Sequence, residues 1–373
     1  MKTFNGFYGE AVSLPALYEA YRLASKNKKS PSFKRFNTGL HGNLEELHEE
    51  LADKTYKPGP YTVFYVDDYK RRRIMAPDFR DHVVHHTVCR FLDQFYEPVF
   101  IHDSYACRKG RGTHRGFERL GKFLNKYGRQ SYFMKCDVTK YFYSIDHHTL
   151  KNILRKKIVD EEFRWLLECI IGSHREDLKP HHLLNPEAAI QDKGIPIGNL
   201  TSQYFANIYL NELDYFVKHE LGVKHYLRYM DDFIILSHSK DYLNDVWDRI
   251  HYFLQETLYL RLEKAKTTLN KIGHGVDFTG YVAHKNFIRV RSRNYQRFKA
   301  NLKKRIHHFH NDKITWEGLE ASFISYLGHL SHTNSNRIKK EVLDLYFNVM
   351  ASKSGLSNVA GTGIMKAMQG CSA

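Results

Sequence analysis

Tyr229-Met230-Asp231-Asp232 stands between two short apolar runs, Tyr226 to Arg228 and Phe233 to Leu236. The pattern predicts a β-hairpin whose turn carries adjacent carboxylates. A solvated surface hairpin with an acidic turn has the same local sequence, so the tetrapeptide alone decides little. A second strand upstream changes the reading. In Tyr132-Phe133-Met134-Lys135-Cys136-Asp137 a mostly apolar run ends at one carboxylate and continues into Tyr141-Phe142-Tyr143-Ser144-Ile145-Asp146. A strand of that composition belongs inside a sheet.

If this strand lies beside the hairpin, Asp137 and Asp231 come together, and two carboxylates in one cleft repel unless divalent cations neutralise them. Two magnesium ions about 3.5–4 Å apart are the usual arrangement for in-line phosphoryl transfer, one activating the attacking 3′ oxygen and one supporting the leaving pyrophosphate. Two aspartates at strand ends thus suggest a nucleotidyl transferase.

Three ordered motifs carry a family resemblance. Asp137 through Ile145 resembles motif A of the reverse transcriptases, Gly194-Ile195-Pro196-Ile197-Gly198-Asn199-Leu200-Thr201-Ser202-Gln203 resembles motif B, and Tyr229 to Asp232 resembles motif C. Around them, Arg71-Arg72-Arg73-Ile74 with Phe79-Arg80-Asp81 is similar to the fingers motifs, Lys264-Ala265-Lys266-Thr267 to motif D and Phe278-Thr279-Gly280-Tyr281 to the primer grip. The likeness covers about residues 55 to 345, and ordered motifs are far more specific than any single one. Within the family the chain most resembles the reverse transcriptases of diversity-generating retroelements. Ser202-Gln203 replaces the retroviral Ser-Pro, Ile197 stands where retroviruses have Gln, and Asp103 to His114 resembles their fingers segment. Ser325-Tyr326-Leu327-Gly328-His329-Leu330 resembles a bacterial thumb, while His82 departs from the Asp-Arg pair usual after Phe79-Arg80.

The resemblance implies an α+β right-hand polymerase with fingers, an antiparallel-sheet palm and a small helical thumb. N-terminal helices and fingers would occupy residues 1–125, the palm 126–283 with a fingers insertion around 150–195, the thumb 284–350, and a tail 351–373. It implies copying of RNA into DNA with Mg²⁺, or Mn²⁺ in its place, on Asp137 and Asp231, with the Val138 carbonyl as a further ligand and Asp232 supporting the site. Arg71, Arg73, Val138, Phe142, Ile197, Gly198, Ser202, Gln203 and Lys266 are the candidate nucleotide- and template-binding residues. Phe142 matches the family's steric gate, which excludes a ribose 2′ hydroxyl; an ordinary core phenylalanine is the other reading. Lys266 would stand near the pyrophosphate as an acid, with Lys264 as the competing choice. The implied partners are template RNA, the RNA–DNA heteroduplex, dNTPs and a small basic accessory protein, and the implied copying is error-prone at template adenines. Another bacterial reverse transcriptase, of a retron, group II intron or phage-defence system, would share this active site. A non-catalytic nucleic-acid-binding scaffold would need the fold but not the intact aspartates.

Composition agrees. Lys plus Arg number 57 against 41 acidic residues, a net charge of +16, which favours a polyanionic partner. Basic charge alone would also suit a ribosomal or membrane-surface protein. No run approaches the roughly 18 apolar residues of a membrane span, and the N-terminus lacks a signal peptide's apolar core, so a soluble cytoplasmic protein is expected. The five cysteines show no C-x-x-C pairing, against disulfides or a zinc knuckle. Histidine doublets at His85-His86, His147-His148 and His181-His182 read as polar surface or core residues sooner than as a metal site, because adjacent residues rarely face the same way.

Leu14 to Ala24 and Leu40 to Leu51 read as amphipathic helices, with Asn43 as candidate N-cap ahead of Glu46. Lys57-Pro58-Gly59-Pro60 breaks the chain before a hairpin of Tyr61 to Val66, a turn at Asp67-Asp68, and a basic strand from Arg71 to Met75 that could fold arginines over a triphosphate. Alternation directs only half of those cations to one face, and a solvated basic hairpin is the alternative reading for any one arginine. Gly172 to Lys193 reads as a loop or insertion. Asn199 is expected to cap a helix with an apolar stripe of Phe205, Ile208, Tyr209, Leu213, Phe216 and Val217. Arg289 to His310 predicts a helix with a cationic face suited to a duplex, followed by helices over Trp316 to Leu330 and Asn336 to Val349. The tail from Ala351 shows no periodicity and is expected to be disordered or to dock on a partner.

Overall fold

Side-chain oxygens start the helices of the N-terminal part. Ser13 accepts from Ala16 N at 3.4 Å, Ser30 from Phe33 N at 3.2 Å and Asp78 from Arg80 N at 3.2 Å. Pro15 and Pro31 sit in first turns, where a missing N–H costs nothing. In a computed structural model that describes residues 3–67, 71–174, 176–177 and 190–352, the elements begin with α1 (Tyr8–Val12), α2 (Leu14–Ser25), α3 (Pro31–Thr38) and α4 (Leu40–Ala52). Next come β1 (Thr62–Asp67), β2 (Arg71–Ala76), α5 (Phe79–Tyr96), α6 (Thr113–Leu124), β3 (Tyr132–Asp137), α7 (Tyr141–Ser144), α8 (His147–Arg155) and α9 (Glu161–Gly172). The short pair β4 (Glu176–Asp177) and β5 (Ile190–Gln191) precedes α10 (Leu200–Tyr215), β6 (Tyr226–Tyr229), β7 (Asp232–Ser237) and α11 (Lys240–Leu258). The chain continues through β8 (Thr268–Lys271), β9 (Val276–Phe278), β10 (Tyr281–Ala283), β11 (Ile288–Val290), α12 (Ser292–His310), α13 (Trp316–Ser331) and α14 (Asn336–Ala351).

These elements divide into two compact units. In the first, residues 1–112, 135–235 and 241–268, the buried face of α5 packs against both α2 and α10. Val83, Val84, Val88 and Leu92 of α5 and Phe205, Ile208 and Leu213 of α10 are almost wholly buried, so the expected stripe is core as far as α10 runs; Phe216 and Val217 fall in a π-helical turn beyond its end, with Phe216 half-buried. Asp160 ties the N-terminus to this unit: one carboxylate oxygen caps α9 through Phe163 N, and the other accepts from Phe7 N and Tyr8 N at 2.9 and 3.1 Å. The hairpin of β1 and β2 is antiparallel, with Tyr65 opposite Arg73 and Asp67 opposite Arg71.

The second unit, residues 113–134, 236–240 and 269–373, contains the antiparallel sheet β11-β10-β9 and helices α12 to α14. Its core gathers Leu302, Phe309, Trp316, Leu319, Phe323, Leu330 and Tyr346. Thr279 and Gly280, both at positive φ, make the two-residue turn between β9 and β10 that such hairpins require. On α12, Arg293, Lys299, Lys303 and Lys304 are exposed around the buried Leu302 and Phe309.

Three local expectations are corrected. Asn43 is not an N-cap, because α4 begins at Leu40 and the Asn43 side chain instead donates to Phe36 O at 2.8 Å. Asn199 stands at the N-cap of α10 without capping it; its Nδ2 donates to the Tyr61 hydroxyl at 2.9 Å. The basic helix begins at Ser292, and Arg289 belongs to β11, which pairs with β10. The turn residue Asp68, most of the 172–193 loop and the tail beyond 352 lie outside the described residues. Among the described residues no helix is long and apolar enough to cross a membrane.

Candidate active site

The acidic hairpin forms at the expected place. β6 and β7 are antiparallel with Tyr226 opposite Ile235 and Tyr229 opposite Asp232, leaving Met230 and Asp231 as the turn. Met230 takes φ +57°, the left-handed backbone that tight hairpins need at this position and that a non-glycine residue adopts only when its surroundings hold it there. The holder is Arg228. Its guanidinium is fully buried, donates to Met230 O at 3.0 Å and to Asn207 Oδ1 at 3.2 Å, and forks onto Asp214 of α10 at 2.7 and 2.5 Å. Tyr226 OH adds a bond to the same Asp214 carboxylate at 2.7 Å. Burial works against the Arg228 charge, but Asp214 overrides it and holds the group protonated beyond its usual range.

β3 lies next to β7 in the sheet order β6-β7-β3-β8. That neighbourhood brings Asp137, at the end of β3, to the acidic turn, where Val138 N donates to Asp231 O at 3.3 Å. Three carboxylates thus share one cleft. Burial first, then the Asp232 and Asp137 charges, push Asp231 up to about 6. Asp232 is also raised, by burial and by Asp137, with Lys135 Nζ at 3.8 Å pulling the other way. Lys266 Nζ sits directly on Asp137 Oδ1. Of the two motif D candidates, Lys266 is the lysine the fold pairs with that aspartate.

This donor set suits a hard divalent cation, since it offers carboxylate oxygens whose mutual repulsion a cation would relieve. Among the described residues no three His, Cys, Asp or Glu side chains already enclose such an ion. The Lys266 ammonium supplies positive charge at Asp137. Of the paired histidines, His85 Nδ1 bonds Thr201 Oγ1 at 2.6 Å and His147 Nε2 bonds Gly194 O at 2.7 Å, while His181-His182 lie outside the described residues.

The remaining candidates divide by exposure. Phe142, half-buried on α7, packs edge-on against Tyr141 at 5.7 Å between centroids, and its carbonyl accepts from Ile195 N at 2.8 Å. Ile197 is half-buried, while Gly198 and Gln203 are exposed; Ser202 is only 2% exposed and faces the packed interior. Arg71 is exposed, with its guanidinium 4.4 Å from the Tyr65 ring centroid. Arg73, half-buried, lines a cavity together with Thr139 and Lys140. The base of the hairpin is joined to the segment before α10, for Met75 N donates to Ile197 O at 2.8 Å.

Two arrangements escaped the sequence reading. Arg228 was grouped with an apolar run; a lone arginine inside such a run, two residues before an acidic turn, was the available signal. Nothing local in the sequence marks Asn199 as a partner of Tyr61, which lies 138 positions away.

The family model for reverse transcriptase (RNA-dependent DNA polymerase) matches residues 67–329. The chain is 25% identical over 373 residues to the group II intron-encoded protein LtrA of Lactococcus lactis subsp. cremoris, covering 82% of this chain and 60% of that protein. It is 26% identical over 321 residues to protein YkfC of Escherichia coli (strain K12), covering 74% and 81%. Among solved structures, apo telomerase from Candida tropicalis superposes with a TM-score of 0.50 at 14% identity, covering 89% and 65% of the two chains. The chain therefore spans 60% of the length of the intron-encoded relative.

Proposed function

Because the chain belongs to the reverse transcriptase (RNA-dependent DNA polymerase) family, we propose that it copies RNA into DNA by two-metal nucleotidyl transfer. Its α+β architecture is that of a right-hand polymerase, and divalent-metal dependence is general to the family. The observation that carries the proposal is the meeting of Asp137, Asp231 and Asp232 in one cleft, with two of the three carboxyls raised by burial and by one another. Asp137, Asp231 and the Val138 carbonyl would hold Mg²⁺ or Mn²⁺, with Asp232 in support. Bound there, the ions supply charge neutralisation and Lewis acidity to phosphoryl transfer. The protein's own groups orient the reactants. Phe142 closes the space beside a ribose 2′ carbon, Gly198 and Gln203 border the nascent pair with Ile197, and Lys266 offers a proton near the leaving pyrophosphate. Residues 1–125 would act as fingers, 126–283 as palm and 284–350 as thumb, with template RNA, heteroduplex and dNTPs as partners.

Within the family we assign the chain to the diversity-generating retroelements. Ile197 and Ser202-Gln203 in motif B and the segment Asp103 to His114 support this. The assignment brings a small basic accessory protein and copying errors concentrated at template adenines. The second reading, an intron-type reverse transcriptase, is favoured by the likeness to the group II intron-encoded protein. One experiment separates them. Purified protein extends a DNA primer on a defined RNA, and the cDNA is sequenced. Errors focused opposite adenine support the diversity-generating reading, low errors independent of template base support the intron type, and no extension at all overturns the polymerase assignment.

A further inference from the structure

The hairpin of β1 and β2 touches the segment before α10 from both of its strands. From β2, Met75 N donates to Ile197 O at 2.8 Å. Just ahead of β1, the Tyr61 hydroxyl accepts from Asn199 Nδ2 at 2.9 Å. Thr62 pairs with Ala76 and Val63 with Met75, so both bonds leave from the base of the hairpin. The Tyr61 bond belongs to a chain whose direction is fixed. Ser173 Oγ, just beyond α9, spends its proton on Ile170 O at 2.6 Å, so it can only accept from the Tyr61 hydroxyl, 2.9 Å away. The phenol, having given its proton to Ser173, must accept from Asn199. Burial pushes the Tyr61 phenol up, so it keeps that proton through the neutral range.

Asn199 forgoes a local bond to make this distant one. At an N-cap an asparagine oxygen ordinarily accepts from the second or third amide of the helix. No such bond is made, and the buried Asn199 Oδ1 meets no donor among the described residues. A local rule broken in this way is expected where a site sets the geometry. Two residues on, His85 Nδ1 bonds Thr201 Oγ1 at 2.6 Å, so α5 fixes the first turn of α10 while Tyr61 and Met75 hold the part ahead of it.

We propose that Tyr61 is a positioning residue: through Asn199 it fixes Ile197 and Gly198 against the hairpin, and so sets how strictly an incoming nucleotide must match the template. The inference rests on the polymerase reading above, in which that segment borders the nascent pair. Tyr61 touches no reactant in this role. The Ile197 side chain has no hydrogen bond to offer a base, so selection there is by shape, and shape selection needs a wall that does not yield. A matched pair fits a firm wall or a loose one. A mismatched pair, with its different outline, gains more when the wall gives way.

The test compares full-length wild type, Tyr61→Phe, Asn199→Ala and the double variant by single-nucleotide primer extension with matched and mismatched dNTPs. Tyr61→Phe keeps the ring and loses only the hydroxyl. It is expected to raise kcat/KM for mismatches about two- to tenfold, the worth of one hydrogen bond, with matched kcat/KM within about twofold of wild type. Asn199→Ala should do the same, and the double variant no more than either single one, because both changes cut one bond. A general loss of packing would lower matched and mismatched rates together with Tm; that result overturns the inference, as does an unchanged ratio or additive effects of the two variants. Hydrogen exchange supplies a readout independent of activity. The amides of residues 197–201 should exchange severalfold faster in Tyr61→Phe than in wild type. Unchanged protection there overturns the inference whatever extension shows. Absence of extension by wild type sinks the polymerase reading separately, and the exchange measurement still decides whether Tyr61 holds the segment.

Discussion

The carbonyl oxygen of Met75 lies 2.6 Å from the point where a β-carbon on Gly198 would stand. No side chain fits there, and φ +134° at Gly198 is itself a backbone state reserved for glycine. Gly198→Ala must therefore push β2 off the Ile197–Gly198 segment. The expected outcome is a loss of extension rate of at least tenfold and a lower Tm. Retained activity at wild-type rate would show that the hairpin and this segment need not touch.

Arg228 offers a second test. Removing one partner of a buried ion pair typically costs about 3–5 kcal/mol, because the other charge is left stranded. Arg228→Met should lower stability by that order, whereas Arg228→Met combined with Asp214→Leu should recover much of it. Activity should not return with stability, since Met230 O has lost its donor and the left-handed turn its support. Denaturant melts and primer extension on the same three variants separate the two effects; recovery of both together would make the ion pair a packing feature only.

Asp231 makes stability depend on pH and metal in opposite directions. Its folded pKa of about 6 lies above the ordinary 3.8, so between those values the folded chain keeps a proton that the unfolded chain has released. Stability from this group is fully present below 3.8 and is lost as pH rises through about 6. The penalty at pH 8 is at most roughly 3 kcal/mol. Without metal at pH 8, Asp231→Asn should thus melt above wild type. Adding Mg²⁺ should raise the wild-type Tm more than that of the variant, and more at pH 8 than at pH 5. Equal metal shifts in both proteins would remove Asp231 from the metal site.

For Phe142, truncation is the discriminating change. On the gate role proposed above, Phe142→Ala would open space beside the sugar, and incorporation of ribonucleotides relative to deoxynucleotides should rise at least tenfold. A ratio that does not move, with a fall in Tm of the size usual for a partly buried phenylalanine, returns the residue to a packing role.

Much of this organisation is legible in the sequence because short-range chemistry controls it. The alternation around Met230-Asp231 has one good solution, a two-residue hairpin, and Leu14 to Ala24 and Trp316 to Leu330 carry periodicity strong enough to fix their helices. The meeting of Asp137 with Asp231 followed from placing two strands side by side. Caps were less legible. Asn43 and Asn199 have the right residue type, but Phe36 O and the Tyr61 hydroxyl compete for their amides, and those partners become neighbours only after folding. The Arg228–Asp214 pair was hidden for the same reason: its energy comes from burial, and burial is a property of the assembled unit. Ser202 illustrates the converse, a motif residue whose position on α10 turns it into the core.

The helix α10 has a consequence of its own. It is 16 residues long, about 24 Å at 1.5 Å per residue. Its first turn follows Gly198 and carries Gln203, and Asp214, one residue from its end, grips the arginine that shapes the acidic turn. A single rigid rod thereby works as a ruler between the Gly198–Gln203 segment and the acidic turn. One residue inserted or deleted along it would swing Asp214 by about 100° relative to Thr201. The spacing of the two halves is therefore written in the length of one helix, and it should tolerate changes of side chain there far better than any change of count.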